Sequence, residues 1–523
     1  MAKESENKQR SIIKSSSQFG ATTLLSRISG FIRDILFANY FGASANTDAF
    51  FVAFKIPNFF RRLFAEGAFS QAFIPVLQEY KIKKNDLLIE FVQYIFGNLF
   101  IVLFIITSLG MYFSEELIYL FAPGFLENSN KYNLASQMLF ITFPYLLFIS
   151  LTAMCSGIFN SYDRFILSGI TPIFLNLSLI VFTLFASSLF IIPIISLSYG
   201  VLIAGIVQLS IQLPLMYKLG FLNIPKINFS HSGSMKIIKL MGPAILGTAA
   251  VQINLLVDTI VASLLITGSI SWLYFSDRLI ELPLAIFGIA ISIVILPVLS
   301  EHFQKNDSYK YSNTLAKSIK LAFLIAVPSM LGLIVLSGAI TSTLYMYGNF
   351  SGFDVQMTMI SLITYSLGLP AFILMKILVT AFYSRQDTKT PVIYSLVGIS
   401  INIIANLTVL YFYLKNPFEG AHALIALATS TSAWIQVILM SIKLKKINVI
   451  QDNIVLNISS LKVIASSVIM FILILLYGNV TPFEDSINVY ERAGFLVLNI
   501  ISGALIFYIS LRIFGVRLIS YKI

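Results

Sequence analysis

The chain has 523 residues, 57% of them hydrophobic and only 11% charged, with a mean hydropathy of +0.86. Soluble domains carry about 25% charged residues, so this composition excludes a soluble enzyme and a disordered scaffold, and the single Cys155 excludes an internal disulfide framework. His231, His302 and His422 lie far apart and offer no His/Cys metal cage, and in so apolar a chain the net charge of +11 speaks first to membrane orientation, not to nucleic acid.

The first ten residues are polar, and no short apolar core with a small-residue cleavage site follows, so no cleavable signal peptide is expected. A helix needs about 20 mostly apolar residues to cross the hydrocarbon core. Runs between polar breaks predict spans over 15–40, 46–66, 87–112, 133–159, 166–190, 194–217, 237–265, 270–299, 318–346, 357–384, 391–414, 421–441, 461–478 and 493–514. Fourteen spans put both termini on one side. With the termini cytoplasmic, that side holds 27 Lys and Arg, while the other holds only Lys131, Lys415 and Arg492. Positive residues favour the cytoplasmic side, so both termini are expected there. All connecting loops are short, which leaves no room for an attached catalytic domain.

The sequence also echoes itself. Ile74-Pro75-Val76-Leu77-Gln78-Glu79-Tyr80 returns as Leu296-Pro297-Val298-Leu299-Ser300-Glu301-His302, and Lys84-Asn85-Asp86 returns as Lys305-Asn306-Asp307. Six spans separate the copies, so the repeat is parallel. The expected fold is an all-α polytopic membrane protein of about 14 helices. It has two six-helix lobes, residues 1–217 and 218–445, related by a parallel pseudo-two-fold repeat, and two additional C-terminal helices in 446–523.

Ionisable residues inside a span cost several kcal/mol unless they face a partner or a wet cavity. Here they gather in the first two spans of each expected lobe: Arg27, Arg33 and Asp34; Asp48, Lys55, Arg61, Arg62 and Glu66; Asp258; and Asp277, Arg278 and Glu281. One reading pairs them across helices, Arg33 with Asp48 for example. The set as a whole has more cations than acids near the cytoplasmic end, and an arginine fork suits phosphate oxygens. That excess points to a phosphorylated lipid or another amphipathic anion. Separately, Asn402 and Asn406 share one face of an apolar span, and Asp258 and Thr429 sit in similar runs. Their oxygens suit a hard cation such as Na⁺, or else hydrogen bonds between helices.

A membrane-embedded lipid-phosphate transferase would need a catalytic base or carboxylate cluster at the surface, and the sequence has no Asp-x-Asp pair and no histidine constellation. A transporter is expected rather than an enzyme. Organic-cation antiport would want an acidic cavity, and this one is cationic.

The stretches Ser26-Arg27-Ile28-Ser29-Gly30-Phe31-Ile32-Arg33-Asp34, Thr47 to Asn58 and Arg61 to Phe73 resemble the MurJ (MviN) family of bacterial lipid II flippases, within the multidrug/oligosaccharidyl-lipid/polysaccharide exporter superfamily. Met241 to Gly247, Asp277-Arg278-Leu279 and Phe382 to Pro391 extend the resemblance over nearly the whole chain. It implies movement of undecaprenyl-pyrophosphate-linked peptidoglycan precursor from the inner to the outer leaflet of the bacterial cytoplasmic membrane by alternating access. The alternative is another superfamily member carrying a polysaccharide-repeat lipid or exchanging drugs and cations. By the resemblance, Arg27, Arg33, Arg61, Arg62 and Arg278 bind the diphosphate, while Asp34, Asp48, Lys55, Glu66, Asp277 and Glu281 form gates and ion pairs. Asp258, Asn402, Asn406 and Thr429 correspond to a cation site, with Asn406 standing where some members are acidic. No cofactor is expected beyond coupling to Na⁺ or to the membrane potential. Lipid II, membrane lipids and the cell-wall synthesis machinery are the expected partners of a monomer.

Overall fold

In hydrocarbon every backbone N–H and C=O must be bonded within the protein, so long apolar runs fold as helices. The structure is a computed structural model that describes residues 22, 24–450, 458–478 and 488–516, with the side chains at 65, 66 and 246–251 outside the description. Among the described residues there is no strand. Two compact units divide between Leu264 and Leu265.

The first unit comprises α1 (24–41), α2 (Ala45–Phe60), α3 (Ser70–Lys83), α4 (Leu88–Tyr112), α5 (Ser114–Phe121), α6 (Ser129–Thr142), α7 (Tyr145–Ser161), α8 (Phe165–Val181), α9 (Ile195–Lys218) and α10 (Ser232–Ser263). The second comprises α11 (Ser269–Pro283), α12 (Ala290–Gln304), α13 (Ser308–Val335), α14 (Ser337–Tyr345), α15 (Gly352–Ser366), α16 (Leu369–Ser384), α17 (Lys389–Lys415), α18 (Ala421–Lys446), α19 (Ile458–Tyr477) and α20 (Val489–Ile513).

Among the described residues ten helices are long and apolar enough to span a membrane, or eleven if α15 and α16, bent by 40° at their junction, act as one. The expected fourteen is not reached on this measure. The three expected spans that fall short are 15–40, 46–66 and 237–265. The first begins outside the described residues, and the second is diluted by Asp48, Lys55, Arg61, Arg62 and Glu66. Of the third, only Gln252–Ser263 counts, as a shorter apolar helix.

The repeat read at Ile74 and Leu296 extends to the backbone. A π-helical segment, Arg61–Phe69, joins α2 to α3, and another, Leu284–Ile289, joins α11 to α12. A proline precedes each, Pro57 and Pro283. A proline cannot donate to the carbonyl four residues back and its ring crowds that carbonyl, and wide turns form where the α-ladder is interrupted. At Pro57 the freed Ala53 carbonyl is recovered from outside the helix, since the Thr142 hydroxyl donates to it at 3.1 Å. Packing partners repeat too: α2 lies on α6 as α11 lies on α15, α7 on α9 as α16 on α18, and α8 on α9 as α17 on α18. In the second unit α19 packs on α13 and α20 on α14, where Val335, Leu336, Met470 and Ile474 form a shared core.

The first unit runs to Leu264, and α10 is fastened into it. Asn98 of α4 donates to the Asn228 carbonyl at 2.8 Å and accepts from its N–H at 2.9 Å, and its amide also reaches Ser234 Oγ at 2.9 Å. Gly97 makes this possible, because a Cβ there would stand 2.2 Å from the Lys226 carbonyl oxygen. Tyr80 and Ser232 share a hydrogen bond of 3.1 Å, and Lys236 pairs with Glu79.

Candidate functional site

A helix face is built from positions three and four apart, and on α1 one such face carries Ser26, Ser29, Gly30 and Arg33. Asn176 of α8 enters that face. Its amide donates to the Ser26 carbonyl at 2.9 Å and to Ser29 Oγ at 3.0 Å, and its Oδ1 accepts from Arg33 Nη1 at 2.9 Å. Arg33 Nε and Nη2 both reach Asp34 Oδ1, at 2.9 and 2.7 Å, and the guanidinium is only 3% exposed. Its carbon lies 5.5 Å from the centre of the Phe37 ring. Arg33 bonds its own neighbour, and Asp48 is met at 2.9 Å by Lys131, which also lies over the Phe125 ring at 4.3 Å. An ion pair removed from water stands only when its remaining polar atoms find partners, and the Arg33 cluster supplies them through Asn176.

Arg27, two turns before Asp34, is half-buried, and its side chain forms no hydrogen bond or ion pair with another described residue. Lys55 is half-buried in α2. Arg61, half-buried, and Arg62, exposed, open the π-helical segment, where Arg61 Nε donates to Asn58 Oδ1 at 3.1 Å. The Glu66 side chain lies outside the described residues.

In the second unit Arg278 Nη1 pairs with Glu281 Oε2 at 2.6 Å and stacks at 5.5 Å from the Tyr274 ring centre, while Asp277 is exposed. Asn406 donates to Asn402 Oδ1 at 3.1 Å, and Thr429 donates to its own helix at the Ile425 carbonyl, 3.2 Å away. Those three residues supply neutral oxygens, two of them engaged in these bonds; Asp258 is buried in α10, within the first unit. No group of three or more His, Cys, Asp or Glu suited to a metal ion occurs among the described residues.

Sequence reasoning missed Asn176, Lys131 and Arg492. Asn176 had a usable signal, a lone amide in the apolar run from Ile173 to Val181. Lys131 and Arg492 read as charges of the outer loops, yet both are buried in the first turn of a helix.

Residues 37–486 match the family described as lipid II flippase MurJ. A "Probable lipid II flippase MurJ" from Buchnera aphidicola subsp. Schizaphis graminum is 40% identical over 518 residues, 98% of each chain. The solved structure titled "Lipid II flippase MurJ, inward closed conformation" superposes with a TM-score of 0.80 at 31% identity, over 95% of this chain and 98% of that one. A multidrug resistance MATE family transporter of the MOP superfamily, in its inward-facing conformation, shares the fold at a TM-score of 0.63 and 13% identity, over 81% of this chain and 95% of that one.

Proposed function

The chain belongs to the MurJ family of lipid II flippases, and from that premise we propose that it moves lipid II, the undecaprenyl-pyrophosphate-linked peptidoglycan precursor, from the cytoplasmic to the outer leaflet of a bacterial inner membrane. The observation that carries the reading is 40% identity to a curated flippase along 98% of both chains, against 13% to the multidrug exporter with the same fold. The α1 chemistry supports an anionic cargo, since Arg27 and Arg33 stand within two helical turns and an arginine fork matches phosphate oxygens in pairs.

In this reading the diphosphate is held by arginines while the isoprenoid tail stays in lipid, and access alternates between the two sides of the membrane. Anion binding favours the loaded state by its differential affinity. An inside-negative potential, worth about 2.3 kcal/mol per charge per 100 mV, draws the unloaded cations back toward the cytoplasm. Asn402 Oδ1 and Thr429 Oγ1 are engaged within their own helices, and no step is routed through Na⁺.

The test is rescue of bacteria depleted of their own lipid II flippase, with lipid II exposure on the outer leaflet read in the same cells. Arg27→Ala is the better variant, because Arg33→Ala also takes two charge-assisted hydrogen bonds from buried Asp34. Rescue by the unaltered chain and failure by a stably inserted Arg27→Ala protein are expected. No rescue by an inserted chain would move the assignment to a different lipid-linked cargo.

A further inference from the structure

We propose that Asn176 is the positioning residue of the α1 arginine site: it sets the orientation of Arg33 and competes with the diphosphate for that guanidinium. The inference rests on the flippase reading above. Asn176 is 6% exposed and uses both ends of its amide. The nitrogen end is fixed to α1 through the Ser26 carbonyl and Ser29 Oγ, and this fixes the oxygen end 2.9 Å from Arg33 Nη1. Amide orientation is thereby dictated by α1 itself, since a flipped amide would point its oxygen at a carbonyl and its nitrogen at a guanidinium.

The arrangement also accounts for residues the anion-site reading left without a task. Ser26, Ser29 and Gly30 lie between and beside the two arginines but carry no charge. Ser29 Oγ donates to the Ser26 carbonyl at 2.9 Å, leaving its lone pairs toward the Asn176 amide. At Gly30 a Cβ would already touch Asn176 Nδ2 at 3.4 Å, so a larger side chain would push the amide out. The serine-arginine-x-serine-glycine spacing is thus a socket for an amide from α8. A neutral partner is the suitable choice: it orients the guanidinium without adding a second carboxylate to Asp34, so a phosphate can still displace it. Asp34, one residue on, supplies the charge balance from the other side.

The experiment uses the full chain in lipid nanodiscs and measures binding of lipid II and, separately, of undecaprenyl diphosphate without sugar or peptide. Asn176→Asp and Asn176→Leu both lose the donors to Ser26 and Ser29 and have similar volumes. A merely structural role would move them together. The positioning role separates them, because the carboxylate would hold Arg33 in a charge-assisted pair. Asn176→Asp is expected to bind both probes about tenfold more weakly than Asn176→Leu, as a charge introduced beside a binding cation acts directly on an anionic ligand. In an Arg33→Gln background that difference should vanish. Where Asn176→Leu does not insert, Asn176→Ser takes the neutral arm. Equal affinities for the acidic and neutral variants, or a difference that survives Arg33→Gln, overturns this inference alone. Absence of binding by the unaltered chain to either probe overturns the flippase reading and this inference with it.

Discussion

Lys131 Nζ lies 2.9 Å from Asp48 Oδ2, and the two side chains are 7% and 1% exposed. The pair ties the first turn of α6 to the first turn of α2, each of which begins on its own cap: Asn128 accepts from the Lys131 N–H and Ser44 from the Thr47 N–H. Both caps therefore deliver the charged side chains to the same place.

Removing one member takes an opposite charge from the other in a shielded site. Lys131→Met is expected to cost roughly 3–5 kcal/mol of stability, read as a fall in the detergent-solubilised melting temperature. The double variant Lys131→Met with Asp48→Leu should recover most of that loss. A double variant as unstable as the single would show that the pair is not the unit that matters.

Thr142 supplies the bond that Pro57 denies to the Ala53 carbonyl. Thr142→Val should leave that buried carbonyl without its donor, at a cost of about 1–3 kcal/mol. Pro57→Ala restores an N–H four residues on, so Thr142→Val should cost less in that background. A double-mutant cycle on thermal stability reads the coupling, and additivity within error would remove the explanation given for the α2 bend.

His231, at the entry to α10, packs against the Tyr94 ring at 4.8 Å between centres. Desolvation holds its pKa below the ordinary imidazole value, with Lys84 acting in the same direction and Glu90 opposing. The folded state thus takes up a proton less readily than the unfolded chain. Its contribution to stability is complete above the unfolded value near 6.5 and is lost as pH falls through the lower folded value. Melting temperature measured from pH 8 to pH 5 should fall more steeply for the unaltered chain than for His231→Gln. Parallel curves would assign the acid sensitivity elsewhere.

Arg492 is buried in the first turn of α20, where Nη1 donates to the Met346 carbonyl at 3.3 Å and the guanidinium lies 5.7 Å from the Tyr347 ring centre. Met346 caps the C-terminal end of α14, where carbonyls are left over and a cation is favoured. Arg492→Ala should loosen α20 by roughly 1–3 kcal/mol. Limited proteolysis is the measurement, with faster cleavage before Val489 expected and an unchanged cleavage pattern counting against the anchor.

What was legible in the sequence followed from strong local signals. The helical class came from the length of the apolar runs, and the repeat came from a proline-centred heptad that the backbone reproduces as wide turn and helix in both halves. The α1 arginines were singled out because charge in an apolar run is costly. Their partners were not legible, because pairing is decided by which helices meet: α8 brings Asn176 to α1, and α6 brings Lys131 to α2. A window along the chain also counts a charged residue at a span's edge as loop. Lys131 and Arg492 show that the first turn of a helix can carry such a residue inward. Among the described residues ten or eleven helices qualify on length and apolarity, and the charged second expected span is not among them because it lacks the composition by which lipid-crossing helices are recognised.

The two wide turns set direction as well as width. The i→i+5 bond makes room for what an i→i+4 ladder cannot hold, and one such segment starts four residues beyond Pro57, the other directly after Pro283. Each leads into the same Pro-Val-Leu sequence. The chain therefore changes course at the same point of each half, and one built-in bend, used twice, aims the repeated segment.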